Sequence, residues 1–263
     1  GSLDLAELGS TISEASWGWV LAGFVVAQLP RFAQAITTLG ASPVPLPVGP
    51  VYALQLAISY VNLAVPTSAA RVAVNVRFFQ RHGLAPGSAV AIGALDGFSG
   101  FIVQLVLAPT LLLLSSASID LSILETPSVD LERVMAWVIG IGLGLAAGYL
   151  LSGSWRHKAF AWIKRTLGEG RQALDGLGSP RRLGLLFGGN LANELLFAMS
   201  LGCFVRAMGY PISIGTLVLI NILVGLLAGL LPIPGGIGVF EGGITYGLVQ
   251  AGMPETEAFA SVM

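Results

Sequence analysis

The stretch LPIPGGIGVFEGG, residues 231–243, decides how this chain must fold. Pro232 and Pro234 followed by Gly235, Gly236 and Gly238 forbid a continuous helix, yet apolar residues flank the break on both sides. Non-helical backbone at membrane depth is tolerated only when it is buried in protein or lines a wet cavity. A helix restarting around Ile237 would aim free N–H groups and the positive end of its dipole into that cavity, where an anion such as phosphate could bind. The competing reading is a packing kink in which the glycines simply let helices approach.

Composition places this segment in a bilayer. Of 263 residues, 54% are hydrophobic and 10% charged, far from the quarter or so of charged residues in a soluble domain. The apolar residues form runs long enough to cross a hydrocarbon core, which takes roughly 20 helical residues. A soluble globular enzyme is excluded. The lone Cys203 rules out an internal disulfide, and His82 and His157 lie in basic stretches without a second ligand at metal spacing. We expect no metal, no cofactor and no nucleic-acid partner. Gly1-Ser2 reads as a cloning remnant, and PETEAFASVM ends where a helix is beginning, so the chain reads as one domain, 1–263, of a longer protein.

Apolar runs cover Ser16 to Leu39, Val48 to Val65, Ser88 to Leu114, Val134 to Leu151, Leu183 to Val205 and Ile214 to Leu231, with a last segment ending at Met253. Between Pro66 and Gly83, Thr67, Arg71, Asn75, Arg77, Arg81 and His82 share one side of a helical wheel, which predicts an amphipathic helix. Seven basic residues against two acidic ones put the linker 154–182 on the cytoplasmic side. Segment 115–132, with Asp120, Glu125, Asp130 and Glu132, and the N-terminus, with Asp4, Glu7 and Glu14, belong outside. Parity then requires residues 48–83 to enter and leave by the same face as a hairpin broken at Pro66. Residues 214–252, broken at Pro232 and Pro234, make a second hairpin from the opposite face.

An internal repeat agrees with this. Pro66 and Pro86 recur as Pro234 and Pro254, each 168 positions on, and the same displacement carries the first helix onto the one beginning near Leu183. Copies that begin on opposite sides are inverted repeats, the arrangement that lets one site face either leaflet. The fold expected is an all-α polytopic transmembrane bundle of two inverted repeats, each holding a Pro/Gly-broken re-entrant hairpin.

Polar groups inside apolar runs are the candidate site. An ionised carboxylate at mid-membrane costs about 3 kcal/mol and needs a partner or water. Glu241, Asp96, Asn190, Glu194 and Arg71 share that depth, and Asn190 and Glu194 lie four apart on one helix face beside Asn193. Interhelical hydrogen bonding is the plainer role for the asparagines.

The segment LLPIPGGIGVFEGGITYGLVQAGMPETEAFASVM resembles the signature of the lysylphosphatidylglycerol synthase transmembrane region family, the flippase-like membrane domain. SYVNLAVPTSAARVAVNVRFFQRHG resembles the family's first-half motif through Asn62, Pro66 and Arg71, although Thr67-Ser68-Ala69 stands where a Gly-containing sequence is usual. The resemblance implies translocation of a membrane phospholipid, aminoacylated phosphatidylglycerol among them, or of a polyprenyl-phosphate-linked lipid. The synthase activity of such proteins resides in a separate soluble domain, and nothing here is similar to one.

The binding residues expected are Arg71 and Asn62 with Asn190, Glu194, Gly235, Gly236, Gly238 and Glu241. Arg71 would grip phosphate, the glycine N–H groups would complete its shell, and Glu241 would meet a cationic headgroup or a coupling proton. Two other readings compete: a membrane anchor for fused or associated soluble domains, and an intramembrane enzyme using Glu241 and Asp96. The anchor is the alternative, no catalytic residue is expected, and self-association into a homo-oligomer stays open. The topology predicts that single cysteines at Pro45 and Gly83 react with an impermeant thiol reagent from the same face of the membrane. Labelling from opposite faces would overturn the hairpin.

Overall fold

A chain in a bilayer has no water to satisfy its backbone, so helix is the form open to apolar segments of this length. The computed structural model describes residues 15–64, 68–114, 179–230 and 238–263, apart from the side chains of 62–71 and of a few residues at the ends of helices, and the described residues form helices and no strand. In chain order these are α1 (Trp17–Val26), α2 (Leu29–Ala41), α3 (Val48–Ala64), α4 (Ser68–Arg81), α5 (Pro86–Leu114), α6 (Pro180–Ala207), α7 (Ile214–Leu230), α8 (Val239–Gln250) and α9 (Glu255–Val262). The proposed break at Pro66, the Pro232–Pro234 break, Gly235, Gly236, the Val134–Leu151 run and the charged segments 1–14, 115–132 and 154–178 lie outside the described residues.

The first apolar run is two helices rather than one. Pro30, in the first turn of α2, has no N–H to give to the carbonyl one turn earlier, and its ring crowds that carbonyl, so α1 stops at Val26. The 25-residue span Trp17–Ala41 and the 28-residue span Pro86–Leu113 are long and apolar enough to cross a membrane. Leu21, Phe98, Leu105, Val106 and Leu113 turn outward and are more than half exposed, an apolar surface suited to acyl chains and not to water.

A close seam joins α1 and α2 to α6. The Ser16 N–H donates to the Ala207 carbonyl at 2.9 Å, and the Ser200 hydroxyl donates to the Gly23 carbonyl at 3.1 Å. A Cβ at Gly40 would lie 2.5 Å from the Leu186 nitrogen and 2.9 Å from the Arg182 oxygen, and one at Gly189 would collide with Thr37 and the Ala33 carbonyl. Contacts thus step down α6 as they step up α1 and α2, which makes the two rods antiparallel. Small residues at such crossings let backbones approach, the main source of helix attraction in lipid.

The elements before and after this seam correspond. α3 and α7 each span 17 residues, and α4 and α8 span 14 and 12. Each of the second helices ends in the same turn: Gly83 at φ 79° and Gly252 at φ 95°, with Leu84 N–H donating to Phe79 O and Met253 N–H to Leu248 O. A positive φ is cheap only for glycine, which is why both helices stop there. Packing partners correspond as well: α2 on α3 and α6 on α7, α3 on α4 and α7 on α8, α4 on α5 and α8 on α9, α2 on α5 and α6 on α9.

Two apolar clusters sit at the two ends of the bundle. Ala41, Phe79, Ala89 and Leu186 join the end of α2, the end of α4 and the starts of α5 and α6. Val205, Leu217, Leu248, Met253 and Ala258 join the end of α6, the start of α7, the end of α8 and the start of α9. The end of α4 thus lies beside the end of α2 at one end of the bundle, and the end of α8 beside the end of α6 at the other.

The seam predicts that Gly40→Ala, whose added methyl meets main-chain atoms, destabilises the protein by about 1–3 kcal/mol. Gly184→Ala, on α6 where an added Cβ meets nothing within 4 Å, leaves stability unchanged or raises it by up to about 1 kcal/mol. Thermal unfolding in detergent checks both, and equal melting temperatures would refute the close contact.

Candidate functional site

Glu194 lies halfway along α6, about 21 Å from its first residue at 1.5 Å per residue. Burial there requires hydrogen-bond partners, and two neutral amides from two other helices supply them. Gln104 of α5 donates Nε2 to Oε1 at 2.8 Å, and Asn221 of α7 donates Nδ2 to Oε2 at 2.7 Å. The side chain is 8% exposed.

One turn earlier, Asn190 presents its amide to the same helix, α5. Its Nδ2 donates to the Ser99 hydroxyl at 2.8 Å and to the Leu186 carbonyl at 3.1 Å. Gly100 leaves room for it, since a Cβ there would stand 3.0 Å from Asn190 Oδ1. Across the space facing this strip, Gln55 of α3 donates to the Thr38 hydroxyl of α2 at 2.8 Å, and that hydroxyl donates to the Gln34 carbonyl.

Two cavities meet at this level. The first, of about 770 Å³, reaches from Glu194 and Gln104 past Asn190, Asp96 and Gln55 to Asn75 and Phe79 at the end of α4. The second, of about 570 Å³, reaches from Glu194 and Asn221 along Phe24 and Phe204 to Trp17 and Met208 at the opposite end. Gln34, Gln104, Asn193, Glu194 and Phe240 belong to both walls. The first sets amides, a hydroxyl and the carboxylates of Asp96 and Glu194 among its apolar residues, and the second is mostly aromatic and aliphatic. Gly93 and Gly97 form part of the first wall, and a Cβ on either would meet nothing within 4 Å.

Of the residues read from the sequence, the structure brings Asn190 and Glu194 together on the first cavity, with Asn193 and Asp96 beside them. Glu241 is elsewhere employed: its Oε2 accepts the Gly238 N–H at 2.6 Å, closing the first turn of α8, and neither residue lines either cavity. α8 starts at Val239, two residues later than the sequence suggests. Gly235 and Gly236 lie outside the described residues, as do the side chains of Asn62 and Arg71, which sit on α3 and α4. Sequence reasoning missed Gln104, Asn221 and Gln55. The signal was present in each: a single amide in the interior of an otherwise apolar run.

The model of the lysylphosphatidylglycerol synthase TM region family matches residues 1–263, the whole chain, which therefore belongs to that family of membrane domains of lipid-related function. No curated protein and no solved structure matches it.

The amide cradle makes a measurable claim. Asn221→Leu removes one donor from a buried carboxylate and should cost about 1–2 kcal/mol. The same substitution made on top of Glu194→Leu should cost far less, because no acceptor then remains unsatisfied. Thermal unfolding of the two single and one double variant gives the coupling; additive losses would break the assignment.

Proposed function

We propose that this domain of the lysylphosphatidylglycerol synthase TM region family moves a phospholipid, or a polyprenyl-phosphate-linked lipid, between the leaflets of the cell membrane. The observation that carries this reading is the pair of cavities that start from one buried carboxylate and run to opposite ends of the bundle. A polar path for a headgroup is what a bilayer lacks, and lipid translocation is slow for want of it. The first cavity supplies amides and hydroxyls for a phosphate ester and its substituents, while the second offers aromatic walls to a hydrocarbon chain.

The matching halves support a reading as inverted repeats, with α3–α4 and α7–α8 as re-entrant hairpins from the two faces. Counterpart rods that run antiparallel and hairpins that return to opposite ends are what a two-fold axis in the membrane plane produces. Rocking one half on the seam would then open one cavity and close the other. The basic side chains Arg77, Arg81, Arg181 and Arg182 gather at the end reached by the first cavity, which favours that end as cytoplasmic and the N-terminus as outside. Arg71, by residue type, is the phosphate ligand of choice, because its planar guanidinium bonds phosphate bidentately and stays charged.

In this reading the chain performs no covalent chemistry, and its partners are the lipid and any soluble domain fused to or associated with it. A membrane anchor without transport is the alternative. The glycine wall separates them. Gly97→Phe fills open space in the first cavity, so the protein should keep its melting temperature while translocation of a fluorescent phosphatidylglycerol in proteoliposomes falls at least about tenfold, a barrier increase of about 1.4 kcal/mol. Undiminished transport in a folded variant would remove the cavity from the path, and a wild type that moves no lipid would leave the anchor.

A further inference from the structure

We propose that the place where the two cavities meet binds the hydroxyl groups of a polyhydroxylated lipid headgroup, a glycerol or a sugar, through the amides of Gln34 and Asn193 beside the ring of Phe240. This rests on the transport reading for the ligand being a lipid, and it names the part of the lipid that is recognised.

Gln34 and Asn193 come from α2 and α6, the two helices of the close seam, and with Phe240 of α8 they belong to the walls of both cavities. Ala33 and Ala35, on either side of Gln34, are buried, whereas Gln34 itself is half-buried. The seam therefore holds the main chain of α2 and leaves the Gln34 amide to the cavities. Asn193 is half-buried as well and precedes Glu194, which Gln104 and Asn221 hold from two other helices. None of the bonds that fix these neighbours uses the side-chain amide of Gln34 or Asn193. Both amides are thus positioned by the helices that carry them and present their polar atoms to whatever occupies the junction.

The chemistry of the amide selects the ligand. Each carries two N–H donors and one carbonyl acceptor. A phosphate only accepts and would leave the carbonyls unmatched; an ammonium only donates and would leave the N–H groups unmatched. A hydroxyl does both, and two hydroxyls on adjacent carbons can bond the N–H and the carbonyl of one amide together. Mismatch matters here because a buried polar group without a partner has also lost its water. Asn190 extends the same chemistry toward the first cavity: it donates from Nδ2 to Ser99 and to the Leu186 carbonyl, which leaves Oδ1 as an acceptor. Phe240 supplies the remaining part, an aromatic wall for the C–H face of a polyol, and a mostly apolar lining with a few placed polar groups is the usual make-up of a small-molecule site.

Native mass spectrometry of the whole chain with short-chain lipids reads binding without transport. Phosphatidylglycerol and glucosyl-diacylglycerol should be retained at least about tenfold better than phosphatidic acid and phosphatidylethanolamine, the worth of one or two neutral hydrogen bonds. Gln34→Met and Asn193→Leu should each weaken retention of the hydroxylated lipids about three- to tenfold and leave the other two unchanged. Retention of phosphatidylglycerol alone assigns the site to glycerol, and retention of the glucosyl lipid, which has no phosphate, assigns it to sugars. Variants that lose phosphatidic acid equally would make this a phosphate site, and variants that lose phosphatidylethanolamine an ammonium site; either overturns the proposal. A wild type without headgroup preference overturns it with no variant needed. In proteoliposomes, a wild type that binds hydroxylated lipids and moves none removes the flippase reading and leaves the site, whereas transport with no such preference does the reverse.

Discussion

Everything else in this bundle depends on how closely α1 and α2 lie against α6. At Gly40 the two rods touch main chain to main chain, and at Gly189 the Thr37 hydroxyl and the main chain of α2 occupy the place of a Cβ. In lipid there is no hydrophobic force to bring helices together, so contact of this kind, with a few polar bonds, is the attraction available. Because the rods are antiparallel, the chain leaves α2 and α6 at opposite ends of the bundle. Because they are close, the other face of α6 is turned toward α5 and α7, and the residues that project there are Asn190 and Glu194.

That geometry explains why neutral amides dominate the interior. Three helices contribute an amide from within a long apolar run: Gln55 from α3, Gln104 from α5, Asn221 from α7. A single amide is inexpensive to insert and bonds in any direction, so it can join helices without imposing a charge on the bilayer. Three of them around one carboxylate and one hydroxyl pin the depth at which the helices cross, and they leave the space between still wide enough for the two cavities.

Much of the architecture was legible in the sequence, and the reasons are physical. Apolar runs and proline breaks located α3, α4, α5, α6 and α7 to within a few residues, because backbone satisfaction in a bilayer leaves little choice of structure. The recurrence of Pro66 and Pro86 as Pro234 and Pro254 goes with helices of similar length on either side of the seam, 17 and 14 residues in α3 and α4, 17 and 12 in α7 and α8. The split at Pro30 was missed because hydrophobicity continues straight across it. For the site, spacing on one helix was enough to pair Asn190 with Glu194, since residues four apart must share a face. Partners on other helices were not legible: a lone Gln104 or Asn221 announces that something polar is near and not what. Glu241 misled for the same reason, as its partner is the N–H three residues back in its own turn.

α3–α4 and α7–α8 have similar lengths and close on the same glycine turn, at Gly83 near one end of the bundle and at Gly252 near the other. What distinguishes the ends is charge: Arg77, Arg81, Arg181 and Arg182 at one, and at the other, among the described residues, Arg206 with its guanidinium 5.4 Å above the Trp19 ring. Lys and Arg are the residues that respond to the asymmetry of a membrane during insertion, so a bundle of this kind takes its direction from the placement of a few guanidinium groups.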